Sequence, residues 1–348
     1  MNALYFLIVA APIAIVGDFL GWNPAVVFVL SAVALIPLAG LLGKATEELA
    51  THTGPRLGGL LNATLGNAAE LIITIFAIRA GLLELVKASI TGSILGNILL
   101  VLGLAMFLGG LRNGVQSFDR EHAGTNATMM ILAVVALIVP SVFSHTIDLV
   151  DHHGVEALSI GVAIAMLVLY ALSLAYAFVP GASPAADHGH ATGQAHWSVR
   201  KSLLYLVFAT VLVAWLSEVL VGAAEPVVEA WGISEFFLGI VIIPIIGNVA
   251  EHLVAVQAAW KNQMELGMAV AVGSSLQIAL FVAPLLVFIS LLFGNPLTLV
   301  FNEFELVTLA GASLVAGIVA LDGKSNWLEG AQLLAVYVIT ALAFYFLP

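Results

Sequence analysis

Cysteine is absent from the 348 residues of this chain. Disulfides, thiolate metal sites and thiol catalysis are thereby excluded. Charge is scarce as well: Asp, Glu, Lys and Arg make up 9% of the residues, against about 25% in soluble domains. So few charges cannot cover the surface of a soluble fold of this length, which excludes an ordinary globular enzyme. Cations are the scarcest group, with 10 Lys+Arg against 21 Asp+Glu and a net charge of -11. That balance lacks the basic surface nucleic acid requires, so no nucleic-acid partner is expected. No Lys or Arg precedes Lys44. The apolar start therefore lacks the basic n-region of a secretory signal, and residues 4–20 read as a retained helix.

What is present is apolar sequence, 61% of the chain, in continuous runs. A transmembrane barrel alternates polarity along each strand, which these runs do not. Helical spans need about 20 apolar residues each. The runs predict an all-α polytopic membrane protein with eleven transmembrane helices. They fall near 4–20, 24–43, 57–79, 86–109, 125–144, 155–179, 202–222, 235–260, 266–292, 304–321 and 327–347. Turn chemistry separates them, as at Gly21-Trp22-Asn23-Pro24 and Gly294-Asn295-Pro296. With the N-terminus cytoplasmic, Lys44, Arg56, Arg112, Arg120, Arg200, Lys201, Lys261 and Lys324 fall inside, and only Arg79 and Lys87 outside. The positive-inside rule favours that orientation, which leaves the C-terminus outside.

The halves match at a fixed offset of 181 residues. Gly66-Asn67-Ala68-Ala69-Glu70 aligns with Gly247-Asn248-Val249-Ala250-Glu251, Glu84-Leu85 with Glu265-Leu266, and Gly92-Ser93 with Gly273-Ser274. Each copy holds five spans, an odd number, so the second enters the membrane from the opposite side. Inverted repeats of this kind are a transporter architecture with the substrate site near the midplane. The expected organisation is an extra helix over 1–22, a first repeat over 23–179, a cytoplasmic linker over 180–200 and a second repeat over 201–348. The linker carries His188, His190 and His196. It reads as a flexible connection, with metal binding or pH sensing as the alternative.

Glu70 and Glu251 lie deep in apolar runs, and a carboxylate at that depth marks a functional site. Asn67 and Asn248 precede them at i, i+3 and share their helix faces; Thr74 extends the first stripe. Gly66 and Gly247 allow close backbone approach or a loosened helix. Pro244 frees the carbonyl of Ile240, with either a cation site or a packing kink as the consequence. Ser93 with Asn97, and Ser274 with Gln277, line single faces of the following spans. Gly92 and Gly96 have the spacing of close helix crossing. All these oxygens are hard, which suits Ca2+, Mg2+ or Mn2+. Two carboxylates neutralise one divalent cation or two protons. An empty pair leaves two charges in low dielectric, so exchange of cation for protons follows. His252 is open to a tuning role or core packing. Glu218 is open to cation recruitment or to pairing at a helix end. Thr46-Glu47-Glu48 and Asp119-Arg120-Glu121 read as loop or helix-end charges.

The two Gly-Asn-x-Ala-Glu segments, Gly66 to Leu71 and Gly247 to His252, closely resemble the repeat motifs of the calcium/proton exchanger (CAX) family of the calcium/cation antiporter superfamily. Gly-Ser-x-x-x-Asn at 92–97 and Gly-Ser-Ser-x-Gln at 273–277 are similar to that family too. The resemblance implies proton-driven Ca2+ movement with Glu70 and Glu251 as central ligands and proton carriers. It implies a pathway lined by Asn67, Asn248, Ser93, Asn97, Ser274 and Gln277. Ca2+ and H+ are then cargo, and no cofactor is expected. Sodium/calcium exchangers typically carry Pro before each Glu; Ala69 and Ala250 here favour protons over Na+. Family members often have an acidic linker, whereas this one holds a single acid, Asp187.

The reading is therefore a secondary transporter exporting cytoplasmic Ca2+ against proton entry. Exchange of Mn2+, Na+ or K+ for H+ is the alternative, and a channel a weaker one. An intramembrane enzyme would want His-Glu-x-x-His or Gly-x-Ser-x-Gly, and neither occurs. A lipid bilayer is the expected surrounding, with homo-oligomers open. The absence of long tails suggests a prokaryotic plasma membrane.

Overall fold

The computed structural model describes residues 4–147, 152–177 and 196–347. His188, His190 and Asp187 lie outside them. The described chain is almost wholly helical. A 3-10 turn, Leu4–Val9, leads into α1, Ala10–Phe19. There follow α2 (Pro24–Leu65), α3 (Ala68–Ala80), α4 (Leu83–Leu95), α5 (Leu102–Asn113), α6 (Arg120–Ile147) and α7 (His152–Ala177). The second half holds α8 (Val199–Gly222), α9 (Ala224–Trp231), α10 (Glu235–Phe237), α11 (Ile243–Trp260), α12 (Met264–Gln277), α13 (Ala283–Phe293), α14 (Glu303–Ala320) and α15 (Trp327–Phe346). A two-residue strand, β1 (Gln116–Ser117), pairs antiparallel with β2 (Lys324–Ser325). Among the described residues eight helices are long and apolar enough to span a membrane, or nine if the bent pair Ala224–Trp231 and Glu235–Val249 is one span.

Local chemistry sets the ends of these helices. Asn23 accepts the Ala25 amide at 2.9 Å, and Pro24, with its φ already helical, opens α2. Ser198 caps α8 through the Lys201 amide, and Asp119 accepts the His122 amide at the start of α6. The α3 and α11 ends are the same turn built twice at the 181 offset. Gly81 closes the first at φ 82° and Asn262 the second at φ 62°. Their amides bond to Ile78 and Ala259, and the next amides, Leu82 and Gln263, reach back to Ala77 and Ala258.

Three helices are continued through wider π-helical turns: Gly96–Val101 after α4, Leu238–Ile242 before α11 and Ile278–Val282 after α12. The second of these ends just before Pro244, which has no amide to return to Ile240. A π turn absorbs such a gap in the ladder.

The described residues fall in two compact units, one of 4–89, 196–250 and 345–347, the other of 90–147, 152–177 and 251–344. In the first, α2 packs along α8, with α1 and α3 beside them. Gly239 brings its π turn so near α4 that a Cβ there would lie 2.9 Å from the Leu85 carbonyl. Apolar side chains such as Phe208, Val211 and Trp215 cover the exposed face of α8, as lipid contact requires.

The length of α2 and the place of Glu48 depart from the sequence reading. The second apolar run, expected over 24–43, continues as helix well past 43, to a kink at Gly54 with φ 81°. Thr46 and Glu48 are therefore buried helix residues, not loop charges. Glu48 is held because one of its oxygens accepts the His196 amide at 2.9 Å and the Trp197 amide at 3.0 Å. Lys44 and Lys201 both lie over the Trp197 ring. Glu48→Ala leaves both amides without their acceptor. It should cost about 1–3 kcal/mol, read as a lower thermal unfolding midpoint in detergent. Glu47→Ala, at an exposed position, should leave the midpoint unchanged.

The second unit contains α6, α7 and α12 to α14, with α5 crossing α15. Residues 295–302 between α13 and α14 form no regular element, yet Leu297, Leu299 and Phe301 are buried. Gly96 does not make the close crossing its spacing suggests. A Cβ there would meet nothing within 4 Å.

Candidate functional site

The span expected over 57–79 is not one helix. It breaks at Gly66–Asn67, so that Asn67 stands at the N-cap of α3 and Glu70 falls in its first turn. Amides unsatisfied at a helix start favour a carboxylate there, and the macrodipole adds to the effect. Glu251 is placed differently, inside the unbroken helix Ile243–Trp260. Gly66 thus loosens its helix and Gly247 does not. Gly247 serves close approach instead: a Cβ on it would sit 2.9 Å from Cγ of Glu70. That gap brings the next residue, Asn248, onto Glu70, and its Nδ2 donates to Oε1 of Glu70 at 2.5 Å. Glu70 is 6% exposed and Asn248 3%. A carboxylate from the first copy of the motif therefore meets an amide from the second.

In the other unit Ser274 donates through Oγ to a carboxylate oxygen of Glu251, also at 2.5 Å. Asn248 and Glu251 occupy one face of α11 at i, i+3. Ser93 and Asn97 are both buried. Asn97 lies in the π turn after α4, and its Nδ2 has no partner among the described residues. Gln277 is the last residue of α12, where the equivalent π turn begins. The helices carrying these residues touch at equivalent positions. Ser275 Oγ approaches the Ile94 carbonyl at 3.5 Å, and the two lie 181 residues apart.

The structure thus joins Glu70 with Asn248 and Glu251 with Ser274. Their oxygens are hard donors of the type that holds alkaline-earth cations. Of the residues left open by sequence, Glu218 pairs with Arg79 at 3.4 Å in an exposed ion pair, so helix-end pairing describes it. His252 has its Nε2 buried with no partner among the described residues. Sequence reasoning passed over Glu305, which is 1% exposed in the first turn of α14. Its signal was legible, since Asn302-x-x-Glu305 has the spacing of a capping box.

Long apolar helices, interrupted at a buried carboxylate and carrying further polar groups on their inward faces, define a multi-pass membrane protein of the ion-transporter class. Comparison with known proteins agrees. The sodium/calcium exchanger protein family matches residues 23–179 and 201–346. A Ca2+/H+ antiporter of Aphanothece halophytica is 43% identical over 100% of this chain and 97% of its own. The Ca2+/H+ antiporter ChaA of Bacillus subtilis is 44% identical over the whole of both chains. A solved structure of the Ca2+/H+ antiporter protein YfkE superposes with TM-score 0.88 at 42% identity, covering 100% of each chain. The chain belongs to the sodium/calcium exchanger protein family, and within it to the calcium/proton exchangers (CAX) of the calcium/cation antiporter superfamily.

Proposed function

We propose that this chain exchanges cytoplasmic Ca2+ for protons by alternating access, with Glu70 and Glu251 carrying cation or protons in turn. The observation that carries the reading is the bond from Asn248 to Glu70. A buried carboxylate there is built into a hard-oxygen site by the two copies of one motif. Asn67, Asn248, Ser93, Asn97, Ser274 and Gln277 line the pathway. The names of relatives matched over the whole chain support the ion pair chosen. Coupling follows from electrostatics: a buried carboxylate left without cation or proton is costly to carry through the membrane, so the empty transporter reorients slowly.

The architecture that goes with this reading has eleven crossings, N-terminus inside and C-terminus outside. One helix over 1–22 precedes two inverted five-helix repeats, 23–179 and 201–348, joined by a cytoplasmic linker over 180–200. Several features support it. The third crossing is the helix broken at Gly66–Asn67, and the eighth runs through the π turn at Leu238–Ile242 into α11. The turns at Gly81 and Asn262 repeat at the 181 offset. Ile94 and Ser275 meet as equivalent residues, as happens near a two-fold axis. Bacterial relatives support placement in a prokaryotic plasma membrane.

The test is uptake of radiolabelled Ca2+ into proteoliposomes with and without an imposed pH gradient. Uptake that requires the gradient, with protons moving the opposite way, is expected. Equal uptake without it points to a channel. No Ca2+ movement at all sinks the ion assignment, and Mn2+, Na+ and K+ are then tried in its place.

A further inference from the structure

Between α13 and α14 the chain crosses the second unit without forming an element, and the backbone is nevertheless satisfied. Every second amide points inward and meets a serine. Leu297 N donates to Ser290 Oγ at 2.8 Å, Leu299 N to Ser159 Oγ at 3.1 Å and Phe301 N to Ser141 Oγ at 2.9 Å. Those serines come from α13, α7 and α6, all buried. Three helices therefore pin the stretch, because buried amides need acceptors. The next amide, Asn302 N, donates to Oε2 of Glu305 at 2.9 Å, and Asn302 Oδ1 accepts the Glu305 amide in return. Glu305 is thus anchored at its base by its own capping box.

Its other oxygen leaves α14. Oε1 of Glu305 accepts the hydroxyl of Thr91 at 2.9 Å. Thr91 is fully buried on α4, two residues before Ser93 and six before Asn97. The same α14 packs against the π turn that carries Asn97. A π turn lacks the regular ladder of an α-helix, so its rotation depends on what holds its flanks.

We propose that Glu305 is a positioning residue: through Thr91 it sets the rotation of α4, and hence where Ser93 and Asn97 present their oxygens to the cation. Glu305 is assigned a positioning role because its oxygens already accept the Thr91 hydroxyl and the Asn302 amide. The inference rests on the transport reading for its significance, while its geometry is tested without it.

Two readouts separate this role from a merely structural one. Thr91→Val removes the hydroxyl and leaves the capping box intact; Thr91→Ser restores it; Glu305→Gln removes the charge. In gradient-driven uptake, Thr91→Val should raise KM for Ca2+ roughly tenfold, with the maximal rate per folded protein changed less than about twofold. Thr91→Ser should return KM to the wild-type value. Thr91→Val with Glu305→Gln should be no worse than the more severe of the two alone, as expected for partners in one bond. The second readout uses the absence of cysteine. Ser93→Cys then carries the sole thiol, and its rate of labelling by a small polar thiosulfonate reports the helix rotation. Thr91→Val and Glu305→Gln should each change that rate severalfold, and Thr91→Ser should not. An unchanged labelling rate together with an unchanged KM overturns the proposal, as does a lowered maximal rate alone. Wild-type protein that moves no Ca2+ sinks the transport reading instead, and the labelling comparison still decides this one.

Discussion

Glu70→Gln and Glu251→Gln are each expected to bring gradient-driven Ca2+ uptake down to the background of protein-free vesicles, with the protein still folded. The substitution is chosen for what it keeps. Gln presents an oxygen where Glu had one, so Asn248 can still donate at position 70 and Ser274 at position 251. Volume and the local hydrogen bond are preserved. What disappears is one unit of negative charge, at a buried position for Glu70 and a half-buried one for Glu251. On the proposed role the partner lost is the cation's carboxylate, and removing one member of a buried ion pair costs about 3–5 kcal/mol, about a hundredfold or more in a binding constant. On that role the same change also removes a proton carrier, so counterflow should be lost together with Ca2+ binding. Unfolding midpoints near wild type, measured beside the uptake, separate loss of charge from loss of fold. Full uptake in either variant would mean that the carboxylate at that position does not carry the ion.

Gly330→Ala is expected to have the largest effect on stability. A Cβ on Gly330 overlaps the backbone nitrogen of Phe107 and lies 2.7 Å from the Gly103 carbonyl. A Cβ on Gly110 overlaps the backbone nitrogen of Trp327, and one on Gly103 comes within 3.1 Å of Leu333 Cβ. Three glycines thus let α5 and α15 cross with their main chains in contact, the small-residue packing of membrane helices. Because the atoms met at Gly330 and Gly110 are backbone, no rotamer change relieves them. The helices must part, at about 1–3 kcal/mol or more for the overpacking, with the loss of contacts beyond the crossing. The expected result is a sharply lower yield of folded protein and a lower unfolding midpoint. Gly317→Ala is the control. Its Cβ would sit 3.7 Å from Ile131 Cδ1, ordinary contact, and it should be silent. A Gly330→Ala protein as stable as wild type would show that the two helices are free to separate.

Much of the candidate site is legible in one dimension because a repeated motif labels itself. The offset of 181 singled out Glu70 and Glu251, and the structure repeats that offset in the turns at Gly81 and Asn262. The break at Gly66–Asn67 was not readable. The same five-residue motif is continuous at 247–251, so the motif alone does not decide whether the helix opens. Glu48 was misread because a charged pair after an apolar run has the look of a helix end. Its burial depends on amides at 196 and 197, almost 150 residues away. Glu218 offered two readings, and the tertiary partner Arg79 chose one.

Composition and run length fix the solvent of this protein. Scarce charge and continuous apolar runs admit only a bilayer, where each helix must satisfy its own backbone. Sequence also sets the two-copy organisation of the polar motifs, since an offset is a property of the string. Partner choice was left to the tertiary structure: Asn248 for Glu70, Ser274 for Glu251, Thr91 for Glu305, and the bare backbone crossing at Gly330. The physical reason is range. Hydrophobic period and helix capping act over about a turn, and composition acts over the whole chain. A buried hydrogen bond between residues 178 positions apart is set by how the helices pack, and nothing local encodes that.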